Sequence, residues 1–173
     1  MTVSSKQIPS NSVQSELDLG RAWYSAFILT LCFTFAYIDR YVLSLLVNPV
    51  KESLLLSDTQ IGLIQGVAFS IFYVAATMPL ARLSDTGNRP VIIGWCVAVW
   101  SLMTMLCGMA SSFWQLMLAR IGVGIGEAGL PPGSMTMMAD SFDNKRLAKA
   151  TSLFMLGPFI GGGLAFMGGW GAL

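Results

Sequence analysis

The sequence lacks histidine altogether and has few charged side chains of either sign. Of its 173 residues, 11% are charged and 54% are hydrophobic, whereas an average soluble domain carries about 25% charged residues. So few charges cannot cover a water-facing surface, which excludes an ordinary soluble domain. Because histidine is absent, carboxylates must carry any proton relay. The net charge of +1 and the lack of a basic cluster also exclude a nucleic-acid partner.

Cysteine is scarce as well, and the sequence indicates no catalytic or metal chemistry. Cys32, Cys96 and Cys107 all lie in apolar stretches, which is typical of packing and not of a disulfide framework or a metal site. The stretch 124–129 fits the nucleotide fingerprint G-x-G-x-x-G, but that fingerprint needs a preceding strand. With no nucleophile–base pair either, we expect no enzyme, no cofactor, no metal and no catalytic residues.

Long apolar runs are what the sequence has in abundance. A membrane-spanning helix needs about 20 mostly apolar residues. The sequence predicts five spans, at about residues 23–48, 59–80, 90–110, 113–139 and 145–167. Residues 1–21 are polar and lack the features of a signal peptide, so we expect a disordered cytoplasmic tail. The lipid bilayer is therefore the first expected partner, for an all-α membrane protein.

The basic residues in the loops predict the orientation of these spans. With the N-terminus in the cytoplasm, seven lysines and arginines fall on the inner side and only Lys51 falls on the outer side. This distribution follows the positive-inside rule. We expect a multi-pass protein of the cell (inner or plasma) membrane with a cytoplasmic N-terminus.

Four charged residues interrupt the apolar runs. Arg120 and Glu127 are the only charged residues between positions 90 and 139, and Asp39 and Arg40 interrupt the first span. Ionisable groups are costly in a bilayer and usually serve transport. Arg120 and Glu127 are seven residues apart, so they share one face of a helix. If the first and fourth spans touch, the acids can pair with the arginines, and the sequence predicts a charge network that couples transport to protons.

The fourth span also contains helix-weakening residues. Pro131 and Pro132 lack backbone donors and should bend or loosen the helix just beyond Glu127. Two pairs of glycines have GxxxG spacing, which lets a neighbouring helix approach closely. Transporters often break helices beside their binding sites, although Gly and Pro are also frequent in membrane helices in general. Packing and hinge roles both stay open for the Pro-Pro pair.

Residues 81–90 resemble motif A of the major facilitator superfamily, G-x-L-a-D-R-x-G-R-K. Leu83, Asp85 and Arg89 match, whereas Ala81, Thr86, Asn88 and Pro90 replace motif residues. The resemblance implies that Asp85 and Arg89 belong to a cytoplasmic gate against the opposite half of a transporter.

Two further motifs support the resemblance. Residues 116–124 resemble motif B, whose arginine corresponds to Arg120, and residues 157–162 resemble the end of motif C, with Gly157 and Pro158. In that superfamily the motif B arginine is linked to proton transfer and motif C to antiporters. We expect Gly157 and Pro158 to form a second helix break or hinge.

The combination of residues 36–41 with Arg120 and residues 126–128 is similar to the Spinster-like branch. The resemblance implies that Asp39, Arg40, Arg120 and Glu127 act in proton coupling. It implies five helices of an incomplete N-terminal six-helix half in residues 22–173, with a missing C-terminal half as a further partner.

The expected function is secondary active transport by alternating access, with protons as coupling partner and a small organic or lipid-like solute as substrate. Two alternatives stay open. One is an organic anion:cation symporter of the same superfamily, and the other is a truncated membrane protein that does not transport.

Overall fold

The computed structural model of the protein describes residues 10–169, with side chains from residue 18 onward. Its elements are α1 (Ser10–Leu45), α2 (Val47–Ser53), α3 (Asp58–Gly62), a π-helical segment (Leu63–Ala68), α4 (Phe69–Thr86), α5 (Arg89–Gly108), α6 (Phe113–Ala128), α7 (Leu130–Ser141) and α8 (Asn144–Gly169). No strand occurs within these residues, so the predicted all-α class is confirmed.

Local signals in the sequence begin the helices where they were expected. Ser57 caps α3, because its hydroxyl accepts from the backbone N–H of Gln60 while its own N–H donates to the Gln60 side chain. Pro90 occupies the first turn of α5, where its missing N–H costs nothing. Ser112 accepts from the backbone N–H of Gln115 at the start of α6. These three helices therefore begin where a polar side chain accepts a first-turn N–H, or where a proline has none to be satisfied.

The predicted count of five continuous spans is corrected by the structure. Within residues 10–169, four helices are long and apolar enough to cross a membrane, at Asp18–Leu45, Asp58–Thr86, Arg89–Gly108 and Asn144–Gly168. The predicted span at 113–139 consists of two shorter helices, α6 and α7, that meet at Gly129. The cause is local: Pro131 and Pro132 have no N–H to offer the carbonyls of Glu127 and Ala128.

The first helix begins earlier than the sequence predicted. α1 starts at Ser10, so it includes residues 10–21 of the stretch expected to be disordered, while residues 1–9 lie outside the described part. Residues 10–19 contain neither Gly nor Pro, and Leu19 and Trp23 pack against the main core cluster. The helix therefore extends into a polar segment that periodicity alone does not mark as helix, and packing at Leu19 and Trp23 supports its C-terminal part.

Glycines bring α5 and α6–α7 into close contact. A Cβ on Gly126 would lie 2.7 Å from the backbone N of Trp100, and one on Gly129 would lie 2.5 Å from the sulfur of Cys96. Gly122 and Gly133 face Met103 and Ile93 of α5, respectively. The two GxxxG pairs thus form one stripe against α5, as the spacing predicts.

The other main helix pair is α1 with α8. Phe33 stacks on Phe154 with ring centroids 4.4 Å apart, and both side chains are buried. A Cβ on Gly161 would lie 2.5 Å from the carbonyl oxygen of Thr34. α8 is continuous through Gly157 and Pro158, so the structure shows no break there. A Cβ on Gly157 would lie 3.2 Å from the carbonyl of Thr30, which identifies this glycine as a point of close helix approach.

Candidate functional site

Two ion pairs connect α1 to α6 inside the bundle. Arg40 pairs with Glu127, and Asp39 lies beside Arg120. Because Arg120 and Glu127 are two helical turns apart on one face of α6, neighbouring residues of α1 can each find a partner on it. The structure therefore brings together all four intramembrane charges that the sequence predicted to form a network.

The Arg40–Glu127 pair is direct and deeply placed. The Nη2 and Nε atoms of Arg40 lie 2.5 Å and 2.6 Å from Oε2 of Glu127. The Glu127 side chain is 1% exposed, whereas Arg40 is 28% exposed. Oε1 of Glu127 is buried and has no hydrogen-bond partner among the described residues. Oε2 therefore accepts hydrogen bonds from the guanidinium, whereas Oε1 keeps its full capacity to accept one.

The Asp39–Arg120 pair is looser and includes a third residue. Nη1 of Arg120 lies 3.7 Å from Oδ2 of Asp39, beyond hydrogen-bond distance. The hydroxyl of Thr104, on α5, donates to the same oxygen at 2.9 Å. Sequence reasoning missed Thr104, because an uncharged residue in an apolar run gives no signal of a buried polar contact.

Aromatic rings surround the two guanidinium groups. The Cζ atom of Arg40 lies 4.9 Å from the ring centroid of Phe69 and 5.1 Å from those of Tyr37 and Tyr73. The Cζ atom of Arg120 lies 5.5 Å from Phe69. Both arginines are within the range of cation–π attraction. Sequence reasoning missed these rings, although Tyr37, three residues before Arg40 on α1, could have been placed beside it.

An irregular helix turn positions Phe69. The π-helical segment Leu63–Ala68 ends directly before it, within a stretch that the sequence predicted to be a regular helix. A Cβ on Gly124 would lie 3.1 Å from the Phe69 carbonyl oxygen and 3.3 Å from its ring. The glycine thus allows this ring to reach both arginines. Such π-helical turns are frequent at functional sites.

The predicted gate residues flank the α4–α5 loop, at the end of α4 and the start of α5, but they do not pair with each other. Arg89 forms an ion pair with Asp140 of α7 and donates from Nε to the backbone carbonyl of Ser84. Asp85 is exposed in the last turn of α4. Asp140 was missed, since its 51-residue separation from Arg89 becomes a contact only through the tertiary fold.

The predicted helix breaks have different outcomes. Pro131 and Pro132 lie in the first turn of α7, directly after the discontinuity at Gly129 and within five residues of Glu127. Gly157 and Pro158 lie inside the continuous helix α8. A hinge role stays a prediction for all four residues.

Comparison with known protein families decides what these helices and charges belong to. The model of the Major Facilitator Superfamily matches residues 29–173. The chain belongs to the Major Facilitator Superfamily. A solved superfamily structure, a bacterial homologue of the human lysosomal transporter Spinster in an inward-facing and occupied conformation, is 40% identical. It superimposes with a TM-score of 0.81 over 84% of this chain and 31% of its own. The predicted resemblance to the Spinster-like branch is confirmed.

Curated relatives in the superfamily are transporters. An efflux pump of Mycolicibacterium smegmatis is 38% identical over 83% of this chain and 35% of its own length. A probable L-galactonate transporter of Escherichia coli is 32% identical over 88% of this chain and 34% of its own length. The sphingosine-1-phosphate transporter of Danio rerio is 31% identical over 83% of this chain and 29% of its own length. The chain thus spans about a third of the length of these superfamily relatives.

Proposed function

We propose that this chain works within a proton-coupled secondary transporter, as part of a bundle that alternates access to a solute. The observation that carries the proposal is the Arg40–Glu127 pair. Its carboxylate is buried. Oε2 is hydrogen-bonded to the guanidinium of Arg40, and Oε1 has no hydrogen-bond partner among the described residues. Buried ionisable groups in membrane proteins commonly mark proton relays, and a proton can add at the open oxygen without first displacing Arg40.

The aromatic rings give Arg40 an alternative place when Glu127 is neutral. A protonated Glu127 attracts the guanidinium less, while Tyr37, Phe69 and Tyr73 still face it. A partly buried cation that loses its carboxylate partner is destabilised, and cation–π contacts of about 0.5–2 kcal/mol each offset part of that cost. The charge on Glu127 can therefore change without unfolding the bundle, as an alternating cycle requires.

The proposed substrate is a small organic or lipid-like solute. Support comes from the relative named a sphingosine-1-phosphate transporter and from the E. coli relative described as a probable L-galactonate transporter. The second name favours the alternative of an organic anion:cation symporter, and competition of uptake by sugar acids against uptake by amphipathic lipids would separate the two. The remaining alternative is a truncated membrane protein that does not transport, for which no solute would exchange.

The proposed setting is the cell membrane, with the N-terminus and the α4–α5 loop in the cytoplasm and the α2–α3 region outside. The basic residues of the loops support this orientation. The proposed partners are protons, the solute, the bilayer and a C-terminal half of the kind that superfamily transporters contain.

The test is Glu127→Gln in the complete transporter, reconstituted in vesicles. A glutamine cannot cycle charge, so we expect pH-driven accumulation to fall at least tenfold while counterflow exchange persists. Measuring pH-driven accumulation and counterflow exchange in the same vesicles distinguishes a loss of proton coupling from a loss of folded protein. A residue that only held α1 to α6 would instead lose folded protein on substitution, because Arg40 would lose its carboxylate partner on α6.

Glu52→Gln is the matched control, since Glu52 is exposed on α2 and undergoes the same chemical change. It should leave both activities unchanged. Normal pH-driven accumulation by Glu127→Gln would contradict the proposal for this residue and assign the proton to Asp39.

A further inference from the structure

A cavity of about 360 Å³ lies among α1, α2, α5 and α6, at the end of the bundle where α1 meets α2. Most of its wall is apolar, but its polar side chains are Asp39, Ser53, Thr104, Cys107 and Arg120. A cavity lined only by apolar groups stays dry, whereas water enters one that offers it two to four polar partners. This cavity has those partners and space for several water molecules, at about 30 Å³ each.

The Asp39–Arg120 pair leaves bonding capacity towards this cavity. Its 3.7 Å separation is too long for a direct hydrogen bond, so both groups keep capacity to bond the same water molecule. No described residue accepts a hydrogen bond from Nε of Arg120, although this side chain is 5% exposed. The Asp39 side chain is 17% exposed.

The other ion pair lies away from this cavity. Neither Arg40 nor Glu127 lines the cavity, and their atoms are in direct contact. The two carboxylates of the network therefore differ in their access to the cavity. Asp39 lies at the inner end of a polar-lined space, and Glu127 is enclosed by protein. A single route for water would serve Asp39 first.

We propose that this cavity is a hydrated access chamber, which brings water and the protons it carries to Asp39 from the side of the membrane where α2 lies. The ligands it takes are water and hydronium, not the transported solute. α2 supplies Val50 and Ser53 to the lining, so this short helix lies at the entrance. The proton role of the chamber rests on the proton-coupled transport proposed above, whereas its hydration does not.

The native Cys107 is a built-in reporter of this chamber, because it lines the cavity and is half-buried. In the complete transporter, Cys32→Ser and Cys96→Ala leave Cys107 as the only cysteine among the described residues. We expect a membrane-impermeant methanethiosulfonate bearing a trimethylammonium group to modify Cys107 at least tenfold faster from the α2 side of oriented vesicles than from the other side.

The matched control keeps Cys32 instead, with Cys96→Ala and Cys107→Ser. Cys32 is also half-buried but lines a separate groove between α1 and α5, so it should show no preference for the α2 side. Val50→Trp should fill the entrance, slow Cys107 modification at least tenfold and reduce pH-driven uptake several-fold while counterflow persists. Val50→Ala should do neither.

Failure to modify Cys107 from the α2 side, in protein with a normal size-exclusion profile, would overturn the proposal that the cavity is hydrated from that side. Unchanged pH-driven uptake in Val50→Trp, despite slower modification, would overturn its proton role. A failure of the proposed function is distinguishable, because the unsubstituted transporter would then show no pH-driven uptake although Cys107 still reacted.

Discussion

Phe69 is the residue at which the two ion pairs meet. Its ring lies within 5.5 Å of both guanidinium groups, and it is stacked on Tyr73 with centroids 5.8 Å apart. A neutral, buried ring between two cations can stabilise both without competing for either carboxylate. Its contribution is therefore to the position of the arginines, which in turn decides how closely they hold Asp39 and Glu127.

Phe69→Leu tests this positioning role. Leucine keeps an apolar side chain but removes the ring, and each lost cation–π contact is worth about 0.5–2 kcal/mol. We expect pH-driven accumulation to fall roughly 2- to 30-fold, which is that energy expressed as a rate ratio, while counterflow changes less. Phe69→Tyr should keep pH-driven accumulation near normal, because tyrosine retains the aromatic ring.

Phe154→Leu is the control for packing, since Phe154 is fully buried in the α1–α8 interface and stacks on Phe33. It should lower thermal stability without changing the ratio of driven uptake to counterflow. An equal change of that ratio in Phe154→Leu, or no rescue by Phe69→Tyr, would show that Phe69 acts only through packing.

The residues that the sequence identified and those it missed differ in chemistry. Asp39, Arg40 and Glu127 stand out because a charge in an apolar run has few structural explanations. Thr104 and Phe69 complete the same site, but a hydroxyl and a ring are common in membrane helices and give no comparable signal. Which residues face the charges depends on helix rotation and packing, and a single sequence specifies neither.

At the scale of the elements, α5 and α6–α7 are joined by a stripe of small residues. Gly126 is the tightest backbone contact of this stripe, since an added Cβ would lie 2.7 Å from the backbone N of Trp100. A backbone atom cannot turn aside as a flexible side chain can. The contact therefore sets the distance between the helix that carries Arg120 and the helix that carries Thr104.

Gly126→Ala should separate these helices and destabilise the bundle. Overpacking of this kind costs about 1–3 kcal/mol, so we expect a clear fall in the melting temperature in detergent. Gly94→Ala, on α5, is the matched control, because nothing lies within 4 Å of an added Cβ there and alanine favours helix by about 0.5–1 kcal/mol. Equal stability of the two variants would show that close helix approach at Gly126 is unimportant.

Element boundaries were predictable where the sequence carries a backbone signal. The capping box at Ser57 and the proline at position 90 each begin a helix as expected. Pro131 and Pro132 indicated a weakness, but the sequence did not show that α6 ends at Ala128. The π-helical segment has no distinguishing residue, since its extra residue per turn is stabilised by packing against neighbours.

For the whole molecule, the surface of the bundle is the main energetic constraint. Large apolar side chains such as Phe159, Trp95 and Trp114 are 65% exposed or more. In water this surface would cause aggregation, whereas lipid or a second bundle covers it at no such cost. The chain spans about a third of the length of the relatives it matches, and the proposed transport cycle would place lipid or the other helices of such a transporter against this surface.

Asp85 is the residue whose location points most directly to such an interface. It lies in the last turn of α4 and is exposed, and no described residue forms an ion pair with it. An acid at a helix C-terminus opposes the helix dipole and costs about 0.3–1 kcal/mol. Asp85 therefore does not stabilise its own helix, and a contact with the opposite half of a transporter would explain the charge.

Asp85→Asn in the complete transporter should slow solute exchange several-fold while the melting temperature stays equal or rises slightly. The rise follows because removing the charge relieves the unfavourable interaction with the α4 dipole. Asp143→Asn is the matched control, since Asp143 is likewise an exposed acid next to a helix end but has a local partner in Arg146, at 3.9 Å. It should leave exchange unchanged. Exchange at the normal rate in Asp85→Asn would indicate a merely solvated loop acid, and a loss of folded protein would indicate a structural role within the bundle itself.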